Sequence, residues 1–187
     1  MPDLRKPKDG GGIKWSTLKR KVRKVTLENG DELELPVTWN AFGTPVTYIG
    51  YEVELEKEVE VGGKKVSKIQ VWVLAPQTAP PPPAPTDHKG WCHGVTFNDT
   101  IYSPGGDAVP AVLAAGWSEI ECPAAQKGDI IVYYDSAGNV THSATSNGDG
   151  TYTSKGGNNP QKNDETDASM SRTYGVPPGR KRCYRKK

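Results

Sequence analysis

Three residues can be strung into a nucleophilic unit: Cys92, His142 and Ser154, with the histidine 50 positions after the cysteine and the serine 12 further on. A thiol attacks a carbonyl as its thiolate, and a helix N-terminus and an imidazolium both raise the thiolate fraction. The run Cys92-His93-Gly94-Val95-Thr96-Phe97-Asn98 lacks proline and can open a helix. His142 follows a turn at 135–139 and sits in an alternating strand, so its ring can face that helix as base and later as acid. A third polar group usually orients such a base. Ser154, Thr153 and the Lys155 backbone stand where the next strand should run. The Cys92 amide, left unbonded at a helix start, can contribute to an oxyanion hole, with Trp91 and His93 as flanking oxyanion or substrate contacts.

Each of these residues also has a plainer use. Free cysteine is commonly a small buried hydrophobe, and a lone strand histidine is commonly structural. The combination of helix start, Gly128-Asp129 strand entry and hairpin before His142 moves the reading to catalysis. The expectation for the pair is a Cys92 thiol shifted down and a His142 imidazole shifted up. Metal chemistry is not expected. Asp87, His88, His93, Cys92 and Cys122 show neither C-x-x-C nor H-x-x-x-H spacing, and no cofactor motif is present.

These residues need elements to position them. Strands are expected at about 129–134, 139–146 and 151–155, and a helix over 108–115 with Asp107 as N-cap and Gly116 as stop. From Gly156 the composition turns polar, which predicts a long loop and a basic C-terminal tail. Upstream, residues 1–12 read as a basic leader. Asn29-Gly30 and Gly62-Gly63 each join two alternating runs, the signature of β-hairpins. Residues 13–75 therefore read as a small antiparallel β domain. The glutamates at 52, 54, 56, 58 and 60 should line its solvent face. The proline-rich stretch 76–86 is expected to be an extended linker to a second unit, 87–187.

Among 187 residues, 24 Lys and Arg offset 22 Asp and Glu, so the net charge of +2 gives no global pull toward nucleic acid. Both ends are nonetheless basic, which leaves open a binding module held to an acidic partner. No run approaches the 18 apolar residues of a membrane span. No secretory signal is seen, so the expectation is a cytoplasmic protein or one exported by a non-classical or specialised route. Three cysteines are too few for a disulfide scaffold, and whether Cys122 and Cys183 pair is not decided by spacing.

Trp91-Cys92-His93-Gly94, Ala115-Gly116-Trp117, Gly128-Asp129-Ile130-Ile131-Val132-Tyr133-Tyr134 and Val140-Thr141-His142-Ser143 together resemble the NlpC/P60 group of papain-like cysteine peptidases and amidases. The resemblance covers about residues 87–157. It implies an α+β fold in which a helix carrying Cys92 packs on an antiparallel sheet, here preceded by the β-rich N-terminal domain. Cys-His-Gly differs from the commoner Asp/Asn-Cys-Ser/Ala start of that group. Ser154 stands where the group has His, Asn or Gln. The implied activity is hydrolysis of an amide bond by Cys92 and His142, with peptidoglycan peptides as the leading substrate. A toxin-type protease or deamidase acting on a host or competitor protein is the alternative. An immunity or delivery protein is the candidate partner for the N-terminal β domain.

Overall fold

The computed structural model describes residues 6–36, 40–41, 44–74, 92–98, 102–156, 161–175 and 180–187. The proline-rich stretch 76–86 lies outside these described residues, as does Trp91.

The N-terminal segment is β throughout. It runs β1 (Ile13–Arg20), β2 (Val22–Thr26), β3 (Glu32–Pro36), β4 (Asn40–Ala41), β5 (Thr44–Val61) and β6 (Lys64–Leu74). β2 and β3 form the first expected hairpin as a separate two-stranded sheet. β5 and β6 form the second, and Gly62 and Gly63 turn it with φ of 56° and 76°. Both angles lie in the left-handed region a type I′ turn requires. The alternation in β5 works as its pattern suggests: Val53 and Leu55 are buried while Glu56, Glu58 and Glu60 are exposed.

The second segment adds α1 (Cys92–Asn98), β7 (Ser103–Pro104), α2 (Val109–Gly116) and β8 (Trp117–Ile120). A 3-10 turn at Cys122–Ala124 follows, then β9 (Ile130–Tyr134), β10 (Val140–Ser146) and β11 (Tyr152–Ser154). The chain continues with β12 (Lys162–Glu165), α3 (Asp167–Tyr174) and β13 (Lys181–Lys186). One sheet has the order β1-β5-β6-β7, with β4 beside β5; the other has the order β12-β11-β10-β9-β13-β8. The class is a mixed α+β fold, rich in sheet and poor in helix.

The segments before and after 76–86 share one sheet and one core. β7, from the second segment, pairs with β6 of the first. Ile13, Trp15, Val53 and Val71 lie in one continuous apolar cluster with Val109, Val112, Trp117, Ile130 and Val132. α2 explains why: Val-Pro-Ala-Val-Leu-Ala-Ala-Gly is apolar on every side, and such a helix must be covered on every side. The N-terminal sheet supplies part of that cover. Residues 10–12, expected as a loose leader, are built in as well. The Trp117 indole donates to the Gly11 carbonyl at 2.9 Å, and Gly12 donates to Glu56 Oε2 at 2.9 Å.

Three other expectations are corrected. Asp107 is not the N-cap of α2; Ala108 holds that position without a side-chain cap, and Pro110 in the first turn sets the backbone instead. The polar stretch after Gly156 is not one long loop, since it holds β12 and α3. A Thr166–Ser169 capping box starts α3, and Gly175, at φ 65°, ends it. The basic C-terminal tail is β13, hydrogen-bonded between β9 and β8. Three of its charges are paired: Lys181 with Asp167 at 2.6 Å, Arg182 with Glu119 at 3.7 Å and Arg185 with Asp129 at 2.6 Å. Cys183 in this strand forms a disulfide with Cys122. No helix among the described residues is long and apolar enough to cross a membrane.

Candidate active site

Cys92 is the first residue of α1, and α1 packs on β10. Ser143 of β10 makes that contact. Its hydroxyl oxygen stands 3.0 Å from Thr96 Oγ1 and 2.7 Å from His93 Nδ1. The His93–Ser143 contact braces the helix on the strand. Both are buried, and burial pushes the His93 imidazole down to about 3, with His142 nearby lowering it further. His93 is thus neutral over the physiological range. The Gly94 amide donates to Ser103 Oγ at 3.2 Å and ties α1 to β7.

Ser143 also faces the nucleophile candidate. Its peptide and hydroxyl hydrogen-bond the Cys92 sulfur and favour the thiolate, as do the backbone groups of His93 and Cys92. Cys92 as a residue is half-buried, but the desolvation of its sulfur outweighs these bonds and pushes the thiol up to about 11. The resting sulfur is a neutral thiol, opposite to the direction expected from the sequence.

His142 lies on the other side of β10. Thr141 forms an irregularity in the β9–β10 ladder, so that Val140 pairs with Tyr134 and His142 with the adjacent Tyr133. Such an extra residue resets which face each later side chain takes. His142 then stands with Tyr133, whereas Ser143 pairs with Val132 of the larger core. The imidazole stacks on Tyr174 of α3, centroids 4.2 Å apart and planes 23° apart. It is 4% exposed, and its Nε2 has no hydrogen-bond partner among the described residues. Burial brings it down to about 4, with the Glu165 charge acting in the opposite sense.

Ser154 is on β11, fully buried, and its Oγ likewise makes no hydrogen bond of normal geometry. It does not bond to His142, so the structure does not join these two as base and orienter. The Tyr174 hydroxyl lies beside it and reaches Glu165 Oε1 at 3.4 Å. Thr153 is occupied elsewhere, donating to Asn147 Oδ1 at 2.9 Å. Lys155 is 1% exposed. Ser143, Glu165 and Tyr174 are the residues that sequence reasoning passed over. The last two lie in the stretch read as a loop, where the Thr166-x-x-Ser169 box and Gly175 were the available signals.

Among the described residues no group of three or more His, Cys, Asp or Glu side chains could hold a metal ion. Comparison with protein-family models, with curated proteins and with solved structures finds no match to this chain.

Proposed function

We propose that this protein is a cysteine hydrolase of the papain-like NlpC/P60 type, with Cys92 as nucleophile and His142 as base. One observation carries the reading. Cys92 opens a helix packed on the strand that holds His142, whose ring rests on the Tyr174 side of that strand with a buried Nε2 that has no hydrogen-bond partner among the described residues. Catalytic hydrogen bonds are often long in substrate-free sites and tighten on binding. The thiol and the imidazole are both neutral at rest, so proton transfer accompanies attack. In this reading the His142 ring must turn from the Tyr174 side of β10 to the Cys92 side when substrate binds. As the S–C bond forms, the thiol proton then passes to His142. The imidazolium returns it to the leaving amine as the C–N bond breaks, and water then hydrolyses the thioester. The Cys92 amide is the candidate oxyanion donor.

Peptidoglycan peptide is the leading substrate, and a host or competitor protein is the second reading. The Cys122–Cys183 disulfide favours export to an oxidising compartment over a cytoplasmic role, in keeping with either. A non-catalytic module acting through its basic ends fits less well, because Lys181, Arg182 and Arg185 are engaged within the fold.

The test is incubation of the purified chain with isolated sacculi and with soluble stem peptides, read by mass spectrometry of released fragments. Cleavage by the wild type and none by Cys92→Ala or His142→Ala is expected. Equal cleavage by either variant would remove that residue from the mechanism. Cleavage of proteins but not of stem peptides would favour the second reading.

A further inference from the structure

We propose that Ser143 is a hydroxyl switch on Cys92: its proton lies on Thr96 while the sulfur is a thiol and turns onto the sulfur as the thiolate forms, with His93 as the positioning residue that donates to the serine oxygen throughout. This rests on Cys92 being the nucleophile of the proposed hydrolase, and it concerns the anion left behind rather than the group that takes the proton.

Three polar side chains of α1 meet the oxygen of one serine on β10. Ser143 Oγ stands 2.7 Å from His93 Nδ1 and 3.0 Å from Thr96 Oγ1, and it hydrogen-bonds the Cys92 sulfur. Cys92 and Thr96 are four positions apart on the helix and His93 and Thr96 three, so all three can face the same strand residue. Ser143 is fully buried, and His93 and Thr96 are each 7% exposed. A hydroxyl has one proton to give and two lone pairs to fill, and three partners match that capacity.

The order of protons follows from charge. With Cys92 a thiol, its S–H fills one lone pair of the serine oxygen and His93 Nδ1–H the other, and the serine proton goes to Thr96. Once the S–H is lost, the sulfur is the strongest acceptor in reach, and the serine proton turns to it. Ser143 rotates and transfers nothing; the only bond to hydrogen that breaks is the S–H. His93 need not change between the two states. Its N–H polarises the serine hydroxyl and strengthens the bond to the anion, whereas in the thiol state it competes with the S–H for the same oxygen. Both effects favour the thiolate. No full charge takes part. His93 is neutral, and β7 carries no titratable side chain. On β10, His142 is stacked on Tyr174 across the strand; on β11, Tyr152 meets Lys181 at 3.3 Å. Lys155, just past β11, is buried, and the influences on the sulfur are desolvation and hydrogen bonds.

Two readouts test the switch in the full-length chain. The first is the His93 tautomer in the wild type at about pH 7, from NMR correlation of the ring nitrogens with the ring C–H protons, assigned by loss of the signals in His93→Asn. A proton on Nδ1 is expected. A proton on Nε2 overturns the proposal, because His93 would then accept from Ser143 instead of donating to it. The second is the rate of Cys92 labelling between about pH 8 and pH 10 with iodoacetamide and with its bulkier N-phenyl derivative. A change in ionisation moves both rates by one factor, whereas a change in access does not. His93→Leu should slow both by about threefold or more, the factor for half a pH unit of ionisation. His93→Asn, whose amide N–H can stand in for Nδ1–H, should stay near wild type. Thr96→Val removes the acceptor of the thiol state and should speed both rates by about threefold, and Thr96→Ser should not. Labelling no faster in Thr96→Val than in wild type, or no slower in a folded His93→Leu, overturns the switch. If His93→Leu does not fold, the tautomer and Thr96→Val decide. A role confined to bracing the helix would not move the two positions in opposite directions. Neither readout needs a substrate, so failure here is distinct from failure of the hydrolase reading, which the Cys92→Ala assay reports.

Discussion

Arg185 grips Asp129 through both carboxylate oxygens, Nε to Oδ1 at 2.9 Å and Nη2 to Oδ2 at 2.6 Å. The Gly-Asp entry to β9 and the terminal strand β13 are thereby clamped together, and the Asp129 carboxylate also accepts from the Gln126 amide at 2.8 Å. The aspartate of this motif is structural. The hydrogen bonds from Arg185, with that from Gln126, hold its carboxyl below the ordinary range despite burial. A depressed folded-state pKa contributes stability that is complete above the unfolded value of about 3.9 and is lost as the pH falls through the folded value. Asp129→Asn should lower the thermal midpoint at pH 7 by on the order of 2–4 °C and flatten the loss of stability below about pH 4. An unchanged acid limb would show that the clamp does not contribute to acid sensitivity.

Gly12 and Gly116 meet backbone to backbone. A side-chain carbon at Gly116 would run into the Gly11–Gly12 backbone, and one at Gly12, where φ is 89°, would lie 2.5 Å from the Val112 carbonyl oxygen. Gly116→Ala should therefore destabilise by about 1–3 kcal/mol through overpacking. Urea unfolding checks this, and because Gly116 does not have a positive φ the cost is one of packing rather than of backbone strain.

These contacts mark where the sequence could be read and where it could not. The hairpins at Asn29-Gly30 and Gly62-Gly63 were legible because a turn with φ above zero leaves a local glycine signature. β9 was legible as a short apolar run, β10 from its alternation, and β11 from the glycine-containing turn before it. β12, α3 and β13 were not, because Lys-Asn-Asp-Glu and Lys-Arg-Cys-Tyr-Arg-Lys carry little apolar periodicity. α3 buries only Met170. Distant partners hold these elements: Asp167 for Lys181, Asp129 for Arg185 and Cys122 for Cys183. At the site, the helix at Cys92 was legible. The face taken by His142 was not, because one irregular residue before it decides the matter and leaves no compositional trace.

The Cys122–Cys183 bridge spans 61 positions and fixes β13 to the 3-10 turn after β8. Replacing both cysteines with serine should cost about 2–5 kcal/mol, in the range for removing a disulfide that closes a loop of this size. Thermal melts of wild type and double variant, each with and without reductant, check this. Reductant should lower the wild-type midpoint toward that of the variant and leave the variant unmoved. Coincident wild-type melts with and without reductant would mean that the bridge does not stabilise the fold.

Cys92 should be slow to alkylate, and His142 should not be the reason. A free thiol with a pKa of about 8.5 is roughly one quarter ionised at pH 8, whereas one near 11 is ionised to only about one part in a thousand. Iodoacetamide should therefore label Cys92 in the folded chain about two orders of magnitude more slowly than a cysteine peptide at pH 8. The gap should narrow only as the pH climbs above about 10. Burial is the largest influence on the sulfur, and the hydrogen bonds that oppose it come from Ser143 and the backbone at the helix start. The sequence alone suggested fast labelling that is lost in His142→Ala. The structure predicts slow labelling that His142→Ala leaves unchanged and that Ser143→Ala slows further, because it removes a hydroxyl favouring the thiolate. Residue-resolved mass spectrometry separates the two, and the bridged Cys122 and Cys183 remain unlabelled until reduced. Labelling of Cys92 at pH 7 as fast as the free peptide would show that the sulfur is not held as a thiol. In that case activation by a nearby imidazolium would be the better account of its chemistry.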